Sequence, residues 1–315
     1  MQRLLKVPDF MPTVIGCHKE DINMTKQEFH ELTEKGVLLL DGATGSNLMK
    51  AGMPRGVCTE SWVLEHKDVI QTLQRAYIEA GSHIIYAPTF GGNRINLTMH
   101  GLDGQIEEIN HTLAGYSKGI APEGVFVAGD ITTTGKMMAP AGDMTYEKAF
   151  ETYQEQIGYL RDAGVDLIVA ETMINIEETL AAVDACQSVC DLPIICTVTV
   201  EADGSIFSGG NAVEAAMSLE AAGADAVGIN CSVGPDQLVS VVRNIKENVS
   251  IPVIAKPNAG MPQIDDNGNA VYSMTPADFA GYMKVLVDNG ASVIGGCCGT
   301  TPEFIAETAQ VLGLH

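Results

Sequence analysis

Three cysteines, Cys231, Cys297 and Cys298, lie at the ends of two short apolar runs. Cys231 follows AVGIN (226–230), and the adjacent pair lies at the end of ASVIGGC (291–297), with no histidine beside either. Three thiolates that converge on one point favour a soft metal, and zinc above all. A structural zinc site normally has four protein ligands, whereas three leave one position open for a substrate. The pattern therefore indicates a catalytic zinc site.

The sequence around Cys297 and Cys298 has two possible interpretations, a metal site and a pair of buried thiols. GGCCGT (295–300) is also typical of buried thiols beside a glycine-rich turn, but a third cysteine at a matching strand end favours the metal. The glycines permit the kink that adjacent ligands require. Cys58 is either an occasional fourth ligand or a plain loop cysteine. Zinc with three thiolate ligands deprotonates a bound thiol and leaves it nucleophilic, which suits sulfur alkylation better than hydrolysis.

Two carboxylates end other apolar runs. Asp41 follows VLLL (37–40), and Glu171 follows LIVA (167–170). Paired acids favour an ammonium group, and the backbone N–H groups of the DGATG turn suit a carboxylate. Together these features predict a pocket for an amino-acid thiol. Taken alone, Asp41 is also explained as a cap or turn residue, and Glu171 as a salt-bridged carboxylate.

The elements that must position these residues alternate between strand and helix along the chain. Near-continuous hydrophobicity, which predicts strands covered on both faces, occurs in eight runs: 37–43, 83–90, 125–130, 166–172, 193–200, 226–230, 252–258 and 291–297. Helical patterns occur at 66–80, 105–118, 146–163, 176–189, 212–222, 235–248, 275–289 and 302–312. Eight such units predict a single-domain α/β protein, a (β/α)8 TIM barrel, with a doubly wound sheet as the alternative.

Before the first strand, residues 25–36 predict a short helix with Thr25 as its cap and Gly36 as its stop. Residues 1–25 are expected to form a short N-terminal extension, and residues 26–315 the barrel. The active site of this fold lies at the carboxyl ends of the strands. The polar and sulfur residues predicted there are Asp41, Thr89, Asp130, Glu171, Thr172, Glu201, Asn230, Cys231, Asn258, Cys297 and Cys298.

Composition narrows the class of protein. The 315 residues carry 18 basic and 40 acidic side chains, a formal charge of -22, which disfavours nucleic acid and anionic membranes as partners. No apolar run is long enough to cross a bilayer. Pro8 and Pro12 interrupt the apolar residues near the N-terminus, so we expect no secretory signal and a cytoplasmic location. The composition does not determine whether the protein forms a homo-oligomer.

The motifs resemble a known family over about residues 27–314. They are DGATGSNLM (41–49), YIEAGSHIIYAPTF (77–90), AETMINIEE (170–178), GINCSVGP (228–235), KPNAGMP (256–262) and GGCCGTTPE (295–303). The chain resembles the homocysteine S-methyltransferase family, and within it most nearly the homocysteine-binding barrel of cobalamin-dependent methionine synthase. It departs from relatives in APTFG (87–91) and GDITTTG (129–135) on the active face, and Thr172 stands where the betaine-dependent relative has an aromatic residue.

The resemblance implies zinc on the three cysteines and homocysteine as substrate. Its thiolate would attack a methyl donor to give methionine. The expected donor is methylcobalamin on a separate corrinoid protein, with S-methylmethionine and S-adenosylmethionine as alternatives. The residues expected to be catalytic are Cys231, Cys297, Cys298 and Glu171, and those expected to bind substrate are Asp41, Gly42, Ala43, Thr89, Glu171 and Asn230. A different thiol or selenol acceptor, or a non-catalytic homocysteine- or zinc-binding module of a corrinoid complex, are the rival interpretations.

Overall fold

The computed structural model describes residues 23–231, 233–265 and 270–314. Eight parallel strands run around a barrel in the order β1-β10-β7-β6-β5-β4-β3-β2, and a single parallel bridge between Leu40 and Ile84 joins the two ends of this order. The barrel strands are β1 (Leu38–Leu39), β2 (Ile84–Tyr86), β3 (Phe126–Ile131), β4 (Leu167–Met173), β5 (Ile194–Val198), β6 (Ala226–Cys231), β7 (Val253–Pro257) and β10 (Ala291–Ile294). The predicted single-domain TIM barrel is confirmed.

Helices alternate with the strands of the barrel, and the longer ones after β1 cover its outside. The helices are α1 (Lys26–Lys35), α2 (Gly45–Lys50), α3 (Thr59–Glu65), α4 (Lys67–Glu79), α5 (Arg94–Thr98), α6 (Ile106–Lys118), α7 (Tyr146–Asp162), α8 (Ile176–Val189), α9 (Ala212–Ala221), α10 (Val239–Asn248), α11 (Pro276–Asp288) and α12 (Pro302–Leu312). All eight predicted helices after the first strand are present, although the one predicted from residue 235 begins with a 3-10 turn, Pro235–Gln237. None of the helices among the described residues has the length and apolar character that crossing a membrane requires.

The inside of the barrel is filled by apolar side chains from every strand, among them Leu40, Val169 and Ile254, in one buried cluster. Helix α1 packs against this cluster through Phe29, so it covers the end of the barrel where the strands begin. Thr25 caps α1, as the sequence predicts, and the structure adds a capping box in which Glu28 takes part. The predicted extension, residues 1–25, falls mostly outside the described ranges and stays a prediction.

Local elements that the sequence analysis did not predict lie in the loops at the carboxyl ends of the strands. The short helices α2, α3 and α5 follow β1 and β2, and an antiparallel hairpin, β8 (Pro262–Ile264) with β9 (Ala270–Tyr272), follows β7. Segments this short carry too few residues to establish a hydrophobic period. All four surround the mouth of the barrel.

Candidate active site

The three predicted zinc ligands meet at the mouth of the barrel. Their sulfur atoms lie within 4.8 Å of one another, and Cys231 Sγ is 3.8 Å from Cys298 Sγ. A tetrahedral ion with Zn–S bonds of about 2.3 Å holds its sulfur ligands about 3.8 Å apart. The number, type and spacing of these donors therefore fit zinc. Cys58 is not part of this cluster; its thiol donates to Glu60 Oε2 instead.

Two strand ends bring the sulfur atoms together. Cys231 is the last residue of β6, where it pairs with Pro257 of β7. The N–H of Cys297 donates to the Pro257 carbonyl at 2.7 Å, so the loop after β10 is fixed to the same neighbour. Gly299 then turns the chain at a φ of +85°, and a Cβ there would lie 2.4 Å from the Tyr272 ring. Glycine is therefore required beside the adjacent cysteines Cys297 and Cys298.

Hydrogen bonds among the three thiols divide their protons unequally. Those from Cys231 and Cys297 lower the pKa of Cys298 below the usual value of a thiol. The pKa of Cys231 is raised in turn, mainly because its hydrogen bonds to the other two sulfur atoms stabilise the protonated thiol. Binding of a metal ion at these thiols would require the loss of the protons that they carry.

The predicted acid pair lies beside the sulfur atoms, but a lysine lies between its members. Lys256 Nζ is 3.1 Å from Glu171 Oε1 and 3.7 Å from Asp41 Oδ1, and it lies 4.7 Å from the centre of the Tyr86 ring. Burial raises the pKa of Asp41 to about 7 even though Lys256 opposes the shift. Burial alone would lower the pKa of Lys256, but Glu171 and Asp41 hold it well above its usual value. Lys256 is therefore a buried cation.

Sequence reasoning missed Lys256, although a signal for it was present. It is the one charged residue of the apolar run PVIAKPN (252–258), and it lies near the carboxyl end of β7, where this fold carries its functional groups. A lysine inside a buried strand needs paired acids.

A cavity of about 300 Å³ opens between the sulfur atoms and the acids. Its wall includes residues that the sequence predicts at the strand ends, and also Tyr86 and Lys256, which it does not. The predicted ones are Asp41, Gly42, Ala43, Asp130, Glu171, Thr172, Cys231, Cys297 and Cys298. The Thr300 hydroxyl accepts a hydrogen bond from the Ala43 N–H at 3.0 Å and donates to the Cys297 carbonyl at 2.7 Å. The DGATG turn and the cysteine pair are thus joined into one wall.

Thr89 and Asn230, predicted to contact the substrate, lie behind that wall. The Thr89 hydroxyl donates to the carbonyl of Asp130 and accepts from its N–H. The Asn230 side chain donates to Glu171 Oε1 at 3.3 Å and to the Thr172 hydroxyl at 2.7 Å. Both residues hold others that reach the cavity.

Backbone strain is concentrated at the same place. Among the described residues, the non-glycine residues with positive φ are Thr172, at 57°, and Cys231, at 62°. Such conformations cost about 1–3 kcal/mol each and persist where the surroundings enforce them. Here the Asn230 side chain bonds both the N–H and the hydroxyl of Thr172. The strain changes the direction of the chain directly after Glu171 and at Cys231, one of the three clustered cysteines.

Comparison with known proteins assigns this arrangement to a family. The model of the homocysteine S-methyltransferase family matches residues 38–312. Methionine synthase of Mycobacterium leprae is 30% identical over 95% of this chain, and that of Mycobacterium tuberculosis is 29% identical over 93%. The chain spans 26% of the length of each of these two relatives.

Solved structures show the same fold at lower identity. The oxidized form of the homocysteine methyltransferase MmuM from Escherichia coli matches with a TM-score of 0.74 and 20% identity, over 90% of this chain and 98% of that one. Its metallated form matches with a TM-score of 0.72 and 19% identity, over 89% and 98% of the two chains. Since the family model spans nearly the whole barrel, the chain belongs to the homocysteine S-methyltransferase family.

Proposed function

We propose that the protein is a zinc-dependent methyltransferase that converts homocysteine to methionine. The observation that supports this most directly is the convergence of three cysteine sulfur atoms at the edge of a cavity that also holds buried acids. Zinc bound by Cys231, Cys297 and Cys298 would lower the pKa of the substrate thiol and keep it as a nucleophilic thiolate.

The protein's own residues bind and orient the amino-acid part of homocysteine. Asp41 and Glu171 accept hydrogen bonds from its α-ammonium group, because both carboxylates line the cavity. The N–H groups of the Gly42–Ala43 turn bind its α-carboxylate. The sulfur atom is then positioned beside the three cysteines, and it attacks the methyl group in line. A bond forms between sulfur and carbon as the bond from carbon to the donor breaks.

The methyl donor that we propose is methylcobalamin held by a separate corrinoid protein. Both methionine synthases above are about four times as long as the part that this chain matches, so their other segments are candidates for the donor's carrier. Apolar side chains of Phe90, Met137 and Met261 are exposed in loops that follow β2, β3 and β7. They give the mouth of the barrel a surface suited to a transient protein interface. We also propose a cytoplasmic location, which agrees with the free thiols of the described cysteines.

A single-turnover assay tests the proposal. Zinc-loaded protein is mixed with homocysteine and, in separate reactions, with a methylated corrinoid protein, methylcobalamin, S-methylmethionine or S-adenosylmethionine, and methionine is followed. We expect methionine with the corrinoid donors. Tight zinc and homocysteine binding with no methionine from any donor would instead support a non-catalytic module. Competition between homocysteine and other thiols or selenols then identifies the preferred acceptor.

A further inference from the structure

A third carboxylate reaches the cavity beside Asp41 and Glu171. Asp130, near the end of β3, is 6% exposed and lines the cavity. Its main chain is fixed on both sides, because its N–H and its carbonyl both bond the Thr89 hydroxyl. The side chain is therefore held at the wall by the barrel itself.

Asp130 lacks the partners that a buried carboxylate needs. Its Oδ1 is buried without a hydrogen bond, and Asp41 Oδ1 is likewise without one. Lys256, the one cation among the described residues lining the cavity, is engaged by Glu171 and Asp41. Burial, together with the charge of Glu171, raises the pKa of Asp130 well above its usual value. Among the described residues, the cavity therefore offers no partner for the Asp130 carboxyl.

Another acid at the same cavity provides an internal contrast. Glu60 also lines the wall, but its Oε1 accepts the Gly91 N–H at 2.7 Å and its Oε2 accepts the Cys58 thiol at 3.3 Å. Glu60 is thus satisfied by the protein. Among the carboxylates that line the cavity, the buried oxygen atoms without a hydrogen bond belong to Asp41 and Asp130, and Asp41 Oδ1 still lies 3.7 Å from Lys256 Nζ.

We propose that Asp130 is the third acceptor of the substrate's α-ammonium group and selects amino-acid thiols against mercapto-acids. This inference rests on the proposed function. An ammonium group has three N–H donors, and Asp41, Glu171 and Asp130 supply one carboxylate for each. When a thiol without the amino group binds, Asp130 stays buried without a hydrogen-bond partner. The cost of this unpaired carboxyl weakens the binding of such a ligand.

The test compares two ligands that differ in the amino group alone. Homocysteine and 4-mercaptobutyrate, which is homocysteine without its amino group, are titrated calorimetrically into zinc-loaded protein. We expect Asp130→Asn to weaken homocysteine binding by about 10- to 100-fold, the effect of one charge-assisted hydrogen bond. Binding of 4-mercaptobutyrate should stay the same or improve. The preference of the protein for homocysteine then falls by at least about tenfold.

Asp166→Asn is the matched control, because Asp166 is also a buried aspartate but lies before β4, at the opposite end of the barrel. It should leave both affinities unchanged. If Asp130→Asn does not fold, Asp130→Ser is measured in the same way. Equal losses for both ligands, or no loss for homocysteine, would overturn the inference while wild-type binding of homocysteine still upheld the proposed function. A zinc-loaded wild-type protein that binds no homocysteine would overturn both.

Discussion

The two ends of the barrel both carry buried carboxylates, and those carboxylates differ in how completely the protein satisfies them. At the end where the strands begin, Asp166 accepts hydrogen bonds from Lys118 on both oxygen atoms and from the Val127 N–H. Asp225 accepts the Ile194 N–H at 2.9 Å and pairs with Lys26 at 3.1 Å. These acids connect strands and helices.

At the opposite end, Asp41 and Asp130 each keep one buried oxygen atom without a hydrogen bond. Both residues line the cavity beside the sulfur cluster. A stable protein rarely leaves a buried polar atom unpaired, since doing so costs about 1–3 kcal/mol. The carboxylates at both ends are buried. What distinguishes Asp41 and Asp130 from the structural acids is therefore the hydrogen bond that each of them lacks.

Thiols make the same contrast. Cys186 and Cys190, at the end of α8, have sulfur atoms 3.6 Å apart, as close as those of Cys231 and Cys298 at 3.8 Å. Spacing by four residues on one helix brings two sulfur atoms together but supplies no third. Two strand ends supply three, beside a cavity. Proximity alone therefore does not define a metal site.

The largest effect is expected from a substitution that removes one of the three clustered sulfur atoms. Cys298→Ala should weaken zinc binding by more than about 100-fold, because even residues that merely support metal ligands cost 10- to 100-fold. Turnover should be lost with the metal. Cys190→Ser, at the other thiol pair, should retain both. Zinc content by elemental analysis and methionine formation measure the difference, and full activity in a zinc-free Cys298→Ala protein would refute the zinc mechanism.

A smaller effect is expected on stability when the buried cation is removed. Lys256→Met leaves Asp41 and Glu171 without their partner, and removing one member of a buried ion pair costs about 3–5 kcal/mol. Lys118→Met breaks the more exposed pair with Asp166, which should cost at most about 1 kcal/mol. Urea unfolding at neutral pH compares the two variants. Equal losses would mean that the two ends of the barrel do not differ as described.

The smallest expected effect concerns the pH dependence of stability. Because burial raises the pKa of Asp41 from 3.8 to about 7, its contribution is fully present below the lower value and is lost as pH rises through the upper one. Asp41→Asn should reduce this fall in the free energy of unfolding, which is at most about 1.4 kcal/mol per pH unit for one proton. Unfolding is measured with a chelator present, so that metal release does not add to the slope.

Glu220, near the end of α9, provides the control of opposite sign, since it bonds the chain just before β7 at the end of the barrel where the strands begin. Partial burial opposes the shift, but hydrogen bonds from Ser250 and Ile251 lower the pKa of Glu220 below 4.5. Its contribution is present above that pH and lost as pH falls. Glu220→Gln should therefore leave the slope unchanged above about pH 6, where Glu220 is ionised in both the folded and the unfolded protein. A slope that Asp41→Asn does not alter would contradict the buried state of its carboxyl.

The sequence predicted most of the barrel, since its strands and longer helices carry clear patterns of hydrophobicity. It also predicted the sulfur cluster, because two strand ends separated by one strand must lie close together in a closed barrel. It did not predict the β8–β9 hairpin or the helices of the first loops, which are too short for a period. Nor did it separate Thr89 and Asn230, behind the wall, from the residues that line it.

What the amino-acid order determined by itself is the set of side chains at the carboxyl ends of the strands, since alternation along the chain and the closure of the barrel fix which residues arrive there. Tertiary structure alone decided how those side chains divide their charges and hydrogen bonds. Lys256 lies between Asp41 and Glu171, whereas Asp130 lines the same cavity and has one carboxylate oxygen atom without a hydrogen bond. The physical reason is that pairing depends on distances of a few ångströms between residues far apart in the chain, and no local pattern encodes those distances.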